Sequence, residues 1–209
     1  MPTPPLPRAT VVAALTCAIL PPSDSRADAF EPQFQPEVAV SRAAGPIRID
    51  GDLDDPGWRT AARATGFAEI SPGDQTEPAV HSEAWITYDD ANLYVALIAR
   101  DDPEEVRVSV CDRDQIFRDD YFGVMLDTYG DQSWGYELFV NPLGIQGDLR
   151  MHSDGSEDIS FDLVWDSRGR VTDDGYRVEL AIPFASLRFP GAADQTWRIN
   201  FWRDRQRDV

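Results

Sequence analysis

Cysteine, histidine, basic charge and long apolar runs are all scarce in this chain, and each scarcity removes a class of function. The 209 residues include two cysteines and two histidines. Cys17 lies in the N-terminal apolar segment, so downstream of it only Cys111 remains and no internal disulfide forms. A lone thiol of this kind is expected to be buried in a strand. Neither His81 nor His152 belongs to a nucleophile elbow, and Cys111 has no histidine near it in sequence, so triad chemistry lacks its base. The apolar run ATVVAALTCAIL is 12 residues long, too short to cross a bilayer as a helix. Against 37 acidic residues stand 19 basic ones, a net charge of −18. Such a field repels nucleic acid and anionic lipid and favours neutral or cationic partners.

The apolar run follows Arg8 and precedes a polar stretch in which Ala27 and Ala29 stand before Phe30, the pattern of a signal peptide over residues 1–29. The mature chain is therefore expected to be exported, to the periplasm, the outer membrane or the medium. Residues 30–44 begin with the proline-spaced FEPQFQPE and read as an extended lead-in, and residues 45–209 as one domain.

Within that domain the dominant signal has period two, which marks half-buried strands. Trp134, Tyr136, Leu138 and Val140 share one face of WGYELFVN, and Tyr176, Val178, Leu180 and Ile182 share one face of GYRVELAI. LYVALIA, residues 93–99, is apolar on both faces and reads as a central strand. Further strands are expected at 38–42, 46–50, 81–88, 106–111, 120–127, 146–152, 161–166 and 196–203. Helix is expected only from Pro56 to Ala64, capped by Asp54 or Asp55, and for one turn at Phe184–Leu187. The fold class is all-β: an antiparallel, jelly-roll-like β-sandwich with one or two short helices.

The stretch PIRIDGDLDDPGW invites a metal reading, because Asp50, Asp52 and Asp54 have the alternate spacing of a calcium loop. Counting from Asp50, however, the sixth position is Asp55 and the twelfth is Ala61, where an EF-hand needs glycine and glutamate. The stretch reads instead as a turn at Gly51, with Leu53 and Trp58 plugging the core. Acid pairs at Asp101–Asp102, Asp119–Asp120 and Asp173–Asp174 raise the prospect of a two-carboxylate glycosidase. Most sit at strand ends or turns, where Asp is favoured for its own backbone hydrogen bonds. The stronger metal candidate is the acidic turn Asp101, Asp102 and Glu104, with hard oxygen ligands for calcium. Asp127 caps its own turn or, with Asp131, adds ligands from a neighbouring loop.

The ordered segments IRIDGDLDDPGW, EAWITYDDANLYVALIARDDP, RDQIFRDDYFGVMLDT, GYELFVNPLGIQGD, DDGYRVELAIPFASLRF and WRINFWR resemble a family 9 carbohydrate-binding module from about residue 45 to 207. More narrowly, they resemble the version placed at the N-terminus of a bacterial outer-membrane family of unknown function, where a β-barrel-like region follows. The resemblance implies a non-catalytic module linked to carbohydrate catabolism, structural calcium, and a glycan or small sugar as ligand. It also implies that this chain ends before the last strand or strands of the family domain.

Phe117 stands where the family places a stacking aromatic. Three polar anchors of the family instead fall at Gly123, Phe139 and Trp202. The expected sugar site is therefore an apolar wall of Phe117 and Trp202 with Arg113 and Arg118 as hydroxyl donors. The competing expectation is an interaction domain that docks against an outer-membrane β-barrel or another partner, with these rings as contact or core residues. Three rings on one open face favour a ligand; three rings in the interior favour a scaffold.

Overall fold

The computed structural model describes residues 30–32 and 37–207. The expected leader, residues 1–29, lies outside the described residues. Among the described residues, ten strands form two antiparallel sheets. They are β1 (Ala62–Ala64), β2 (Ser82–Tyr88), β3 (Asn92–Arg100), β4 (Tyr121–Asp127), β5 (Trp134–Val140), β6 (Gln146–His152), β7 (Glu157–Asp158), β8 (Asp166–Thr172), β9 (Gly175–Pro183) and β10 (Arg198–Asp204). The first sheet runs β1-β2-β3-β9-β8 and the second β10-β4-β5-β6-β7.

The alternating sequences explain why the sheets stack. Leu93, Val95 and Leu97 of β3 and Val178, Leu180 and Ile182 of β9 meet Phe122, Val124 and Leu126 of β4 and Tyr136, Leu138 and Val140 of β5 in one buried core. Each fully buried aliphatic or aromatic side chain there contributes about 1.5–3 kcal/mol. Strand β3 is central, paired with β2 on one side and β9 on the other, and its opposite face is buried too: Tyr94 and Ala96 pack with Trp58 and Ala181.

That second layer is where the expected elements change. Residues 46–50 form no strand, and in 38–42 a single bridge joins Arg42 to Tyr88. The segment instead lies over the outer face of the first sheet, with Ile47, Ile49 and Leu53 against Trp58 and Tyr94. It is anchored by Glu179 of β9, fully buried, whose carboxylate accepts from the backbone N–H groups of Asp50 (2.9 Å) and Gly51 (2.7 Å) and from Trp58 Nε1 (2.9 Å). Gly51 makes the tight turn at φ 89°, a left-handed conformation that suits glycine. The three alternate aspartates are not aimed at one point. Asp50 accepts from Asp52 N, and Asp52 pairs with Arg170 of β8 at 3.1 Å.

The expected helix from Pro56 to Ala64 is a 3-10 turn, Pro56–Thr60, followed by the edge strand β1. Asp55 occupies the N-cap position without capping, because its carboxylate accepts from Arg48 N (2.7 Å) instead. The turn at Phe184–Ser186 is also 3-10. Residues 106–111 and 161–165 carry no strand, whereas β8 begins at Asp166 and was not expected. Its sequence DSRGRVT has no apolar alternation because it is an exposed edge, and charged edges of this kind resist pairing with other chains. Cys111 lies half-buried in the loop before β4, not in a strand.

Candidate functional site

Period two sends Gly123 of β4, Glu137 and Phe139 of β5, and Gly147 and Leu149 of β6 to the outer face of the second sheet, opposite to the shared core. Register then lines them up. Trp202 of β10 pairs with Gly123, Gly123 with Phe139, and Phe139 with Gly147, so one cross-strand row alternates large and absent side chains. The glycines are what let the rings lie close to the sheet. A Cβ on Gly123 would stand 2.2 Å from Cε2 of Trp202, so the indole covers this position. Gly123→Ala is expected to displace Trp202 and cost about 1–3 kcal/mol. A denaturant titration followed by tryptophan emission checks this, and an unchanged midpoint with unchanged emission would contradict it.

Phe117, from the loop before β4, completes the cluster. Its ring centroid lies 5.1 Å from Phe139 and 5.6 Å from Tyr121, and Phe139 lies 5.5 Å from Trp202, all edge-on. Such edge-to-face packing fixes ring orientation. Phe139 is the base of the cluster at 5% exposure, Phe117 is open at 43%, and Tyr121 and Trp202 are half-buried. The three rings singled out in the sequence therefore share one outer face, with one of them buried beneath the others. The Tyr121 hydroxyl donates to Asp204 at 3.2 Å; burial first, then the neighbouring Asp204 charge, pushes its pKa up to about 12.

The next row along the sheet pairs Asn200, Met125, Glu137 and Leu149. Glu137 is buried there without an ion pair among the described residues, and burial, with the charge of Glu157, raises its carboxyl above the usual range. Glu137 was not singled out from the sequence, although its spacing of two from Phe139 places both on one face. Tyr121 was missed for the same reason.

The two arginines part company. Arg113 does not serve the aromatic surface: its guanidinium donates to Gln146, to the buried carboxylate of Asp148 and to Leu163 O, tying the loop to β6 and to the 161–165 segment. Arg118 is exposed beside Phe117 in the chain.

The acidic turn is likewise put to another use. Asp101, 1% exposed at its side chain, accepts hydrogen bonds from Arg203, Arg205 and Arg207, while Asp102 accepts from Glu104 N. Asp101, Asp102 and Glu104 thus do not converge as a cation site. The carboxylates that gather within 4.8 Å of one another, among the described residues, are Asp114, Asp148 and Asp162. Arg113 enters that cluster, bonded to Asp148 and 3.7 Å from Asp162, while Asp114 accepts from Asp148 N, so one guanidinium stands against three carboxylates. Asp127 caps its turn, accepting from Tyr129, Gly130 and Gln132 N. The other acid pairs also have structural partners: Asp119 takes Ser109 and Asn141, and Asp174 takes Thr172 and Arg100.

The sequence matches the model of the carbohydrate family 9 binding domain-like family over residues 49–201. A family 9 carbohydrate-binding module from Caldicellulosiruptor kristjanssonii, in complex with cellotriose, superposes with a TM-score of 0.51 at 20% identity, covering 78% of this chain and 74% of that one. A Bacteroides uniformis protein to which carbohydrate binding has been ascribed superposes with a TM-score of 0.62 at 11% identity, covering 81% and 84%. Comparison with curated proteins finds no relative by sequence. The family is one of non-catalytic binding modules, and no helix among the described residues is long and apolar enough to cross a membrane. With the family model spanning most of the sandwich, this chain belongs to the carbohydrate family 9 binding domain-like family.

Proposed function

We propose that the protein is a non-catalytic carbohydrate-binding module whose binding surface is the outer face of the second sheet. The observation that carries this reading is the open aromatic cluster: Phe117, Tyr121 and Trp202 grouped around Phe139, with Glu137 and Asn200 in the adjoining row. Flat aromatic faces accept the C–H side of a sugar ring, and a neighbouring carboxylate and amide satisfy its hydroxyls. The cellotriose carried by the Caldicellulosiruptor module makes β-glucan oligosaccharides the first ligands to try. The reading does not depend on calcium; Asp114, Asp148 and Asp162 are the carboxylates, among the described residues, that lie close enough together to hold a cation.

Phe117→Ala is expected to weaken retention by about 1–2 kcal/mol, roughly 5- to 30-fold in Kd. Affinity electrophoresis and calorimetry with cello-oligosaccharides check this. No binding by the folded protein, or binding indifferent to Phe117, would move the assignment to the second reading, an interaction domain of an outer-membrane protein. The burial of Phe139 and the aromatic and glycine residues at the family's three polar positions favour that reading. In either case the leader-like residues 1–29 support export, and fractionation of cells for the mature chain tests it.

A further inference from the structure

A second cleft, away from the aromatic surface, opens on the inner side of the second sheet where β5 and β6 meet the turn after β9. It has a volume of about 600 Å³, within the range of small-molecule sites, and Trp134, Tyr136, Arg150, Phe161, Ser186 and Arg188 line it. Two guanidiniums in one cleft stand out in a chain of net charge −18. Among the described residues neither has a carboxylate within ion-pair distance. Asp158, the register partner of Arg150, has its carboxylate bonded to Ser160 N and Oγ at 3.2 and 2.7 Å, and those bonds first, then the charge of Arg150, hold it below the usual carboxylate range. Asp162 also lines the cleft but lies beside Arg113, 3.7 Å from its Nε.

Arg150 is held through its side chain and Arg188 through its backbone. Arg150 leaves β6 on its core-facing side, with its guanidinium 5.3 Å from the Trp134 ring and 4.4 Å from Phe161, and its Nε is buried with no acceptor. The backbone of Arg188 is pinned from both sides: its N–H donates to the Tyr136 hydroxyl at 2.9 Å and its carbonyl accepts from Thr128 Oγ1. Tyr136, having accepted that bond, keeps its O–H free to donate. A guanidinium stacked on rings gives up little freedom when it binds, and its planar fork matches the two oxygens of a carboxylate. The strongly negative field of the whole chain disfavours polyanions and leaves small monoanions as the fitting class.

We propose that this cleft binds a carboxylate carried on a sugar-sized ring, with Arg150 and Arg188 as its oxyanion ligands and Tyr136 as a hydroxyl donor. The site is separate from the aromatic surface, so it stands or falls independently of the function proposed above.

The test titrates the purified full chain with glucuronate, benzoate and glucose by calorimetry, alongside Trp134-sensitive fluorescence. Saturable binding of glucuronate is expected, weakening several-fold when salt rises from about 0.02 to 0.3 M. Binding of benzoate as well would show that the carboxylate is recognised whatever ring carries it; binding of glucuronate alone would show that the sugar is read too. Either outcome supports the proposal. Arg188→Gln lies on an exposed residue and is expected to lower affinity about tenfold, as is Arg150→Lys, which keeps the charge and loses the fork. Phe117→Ala should leave acid binding unchanged. The proposal is overturned if neither acid binds the folded protein, if glucose binds this cleft as well as glucuronate does, or if both arginine variants bind like the parent.

Discussion

Asp101→Ala is expected to destabilise the protein by about 3–5 kcal/mol, enough to unfold a marginal domain. The side chain is 1% exposed and accepts from Arg203 Nη2, from Arg205 Nε and Nη2 at 2.9 Å each, and from Arg207 Nη2 at 2.9 Å. Asp101 follows β3 of the first sheet, and Arg203 lies on β10 of the second, so the cluster joins the two sheets. Arg203 is itself 4% exposed, and its Nη1 also donates to Arg100 O and Ser82 Oγ. Removing the carboxylate would leave that guanidinium buried without its counter-charge, which is the costly way to break a buried pair.

Burial alone would raise the Asp101 carboxyl, but the hydrogen bonds of Arg205 and the charges of Arg203, Arg205 and Arg207 outweigh it and hold the group below the usual carboxylate range. A depressed folded pKa contributes stability that is present above the unfolded value and lost as pH falls through the folded one. Neighbouring Asp120 moves the other way. Its burial outweighs the bonds from Arg207 and Gln206, so it opposes stability as pH rises. Urea titrations of the parent, Asp101→Asn and Asp101→Ala separate charge from packing, with Asn expected to lose less. If Asp101→Ala costs under about 1 kcal/mol, the cluster is no more than a screened surface network.

Glu179 is expected to produce the second large effect, with the opposite pH dependence. Burial, only partly offset by the hydrogen bonds from Gly51, Asp50 and Trp58, raises its pKa to about 7. For an acid with a raised folded pKa, the associated stability is present below the unfolded value and lost as pH rises through the folded one. Between pH of about 4.5 and 7 the domain should lose about 3 kcal/mol through this group. Charge repulsion within so acidic a chain acts in the same direction, so the measurement is a difference. Unfolding free energies at pH 5 and pH 8 should fall more steeply in the parent than in Glu179→Gln, whose amide does not titrate. Parallel slopes would show that Glu179 titrates normally. Glu179→Ala, which strands two backbone N–H groups and an indole N–H, should cost about 3 kcal/mol or more at any pH and release the 45–61 segment from the sheet. Protease sensitivity within that segment would report the release.

Several features follow from local pattern alone. Alternation assigned the inward faces of β5 and β9, the unbroken apolar run identified β3 as central, and the ordered motifs pointed to the family. These are readable because strand period and burial act over a few residues. The aromatic face was half legible: parity puts Glu137 and Phe139 together, but that Trp202 covers Gly123 and abuts Phe139 depends on the register of β10 against β4. Register is a long-range choice, set by which hydrogen-bonded pairing buries the most apolar surface.

The failures share that cause. Residues 46–50 alternate like a strand, yet Glu179, more than 120 residues away in sequence, takes the N–H groups of Asp50 and Gly51 and holds the segment as a cover over the first sheet. Strand β8 has no apolar alternation, and its pairing with β9 alone makes it a strand. Asp101, Asp102 and Glu104 have calcium-like chemistry as a local string, but three arginines from the other end of the chain occupy Asp101. Composition and periodicity determined the fold class, because it depends on residue types and local spacing. Which carboxylates meet arginines, and which rings meet each other, was decided by tertiary structure, because those partners lie far apart in sequence and only packing brings them together.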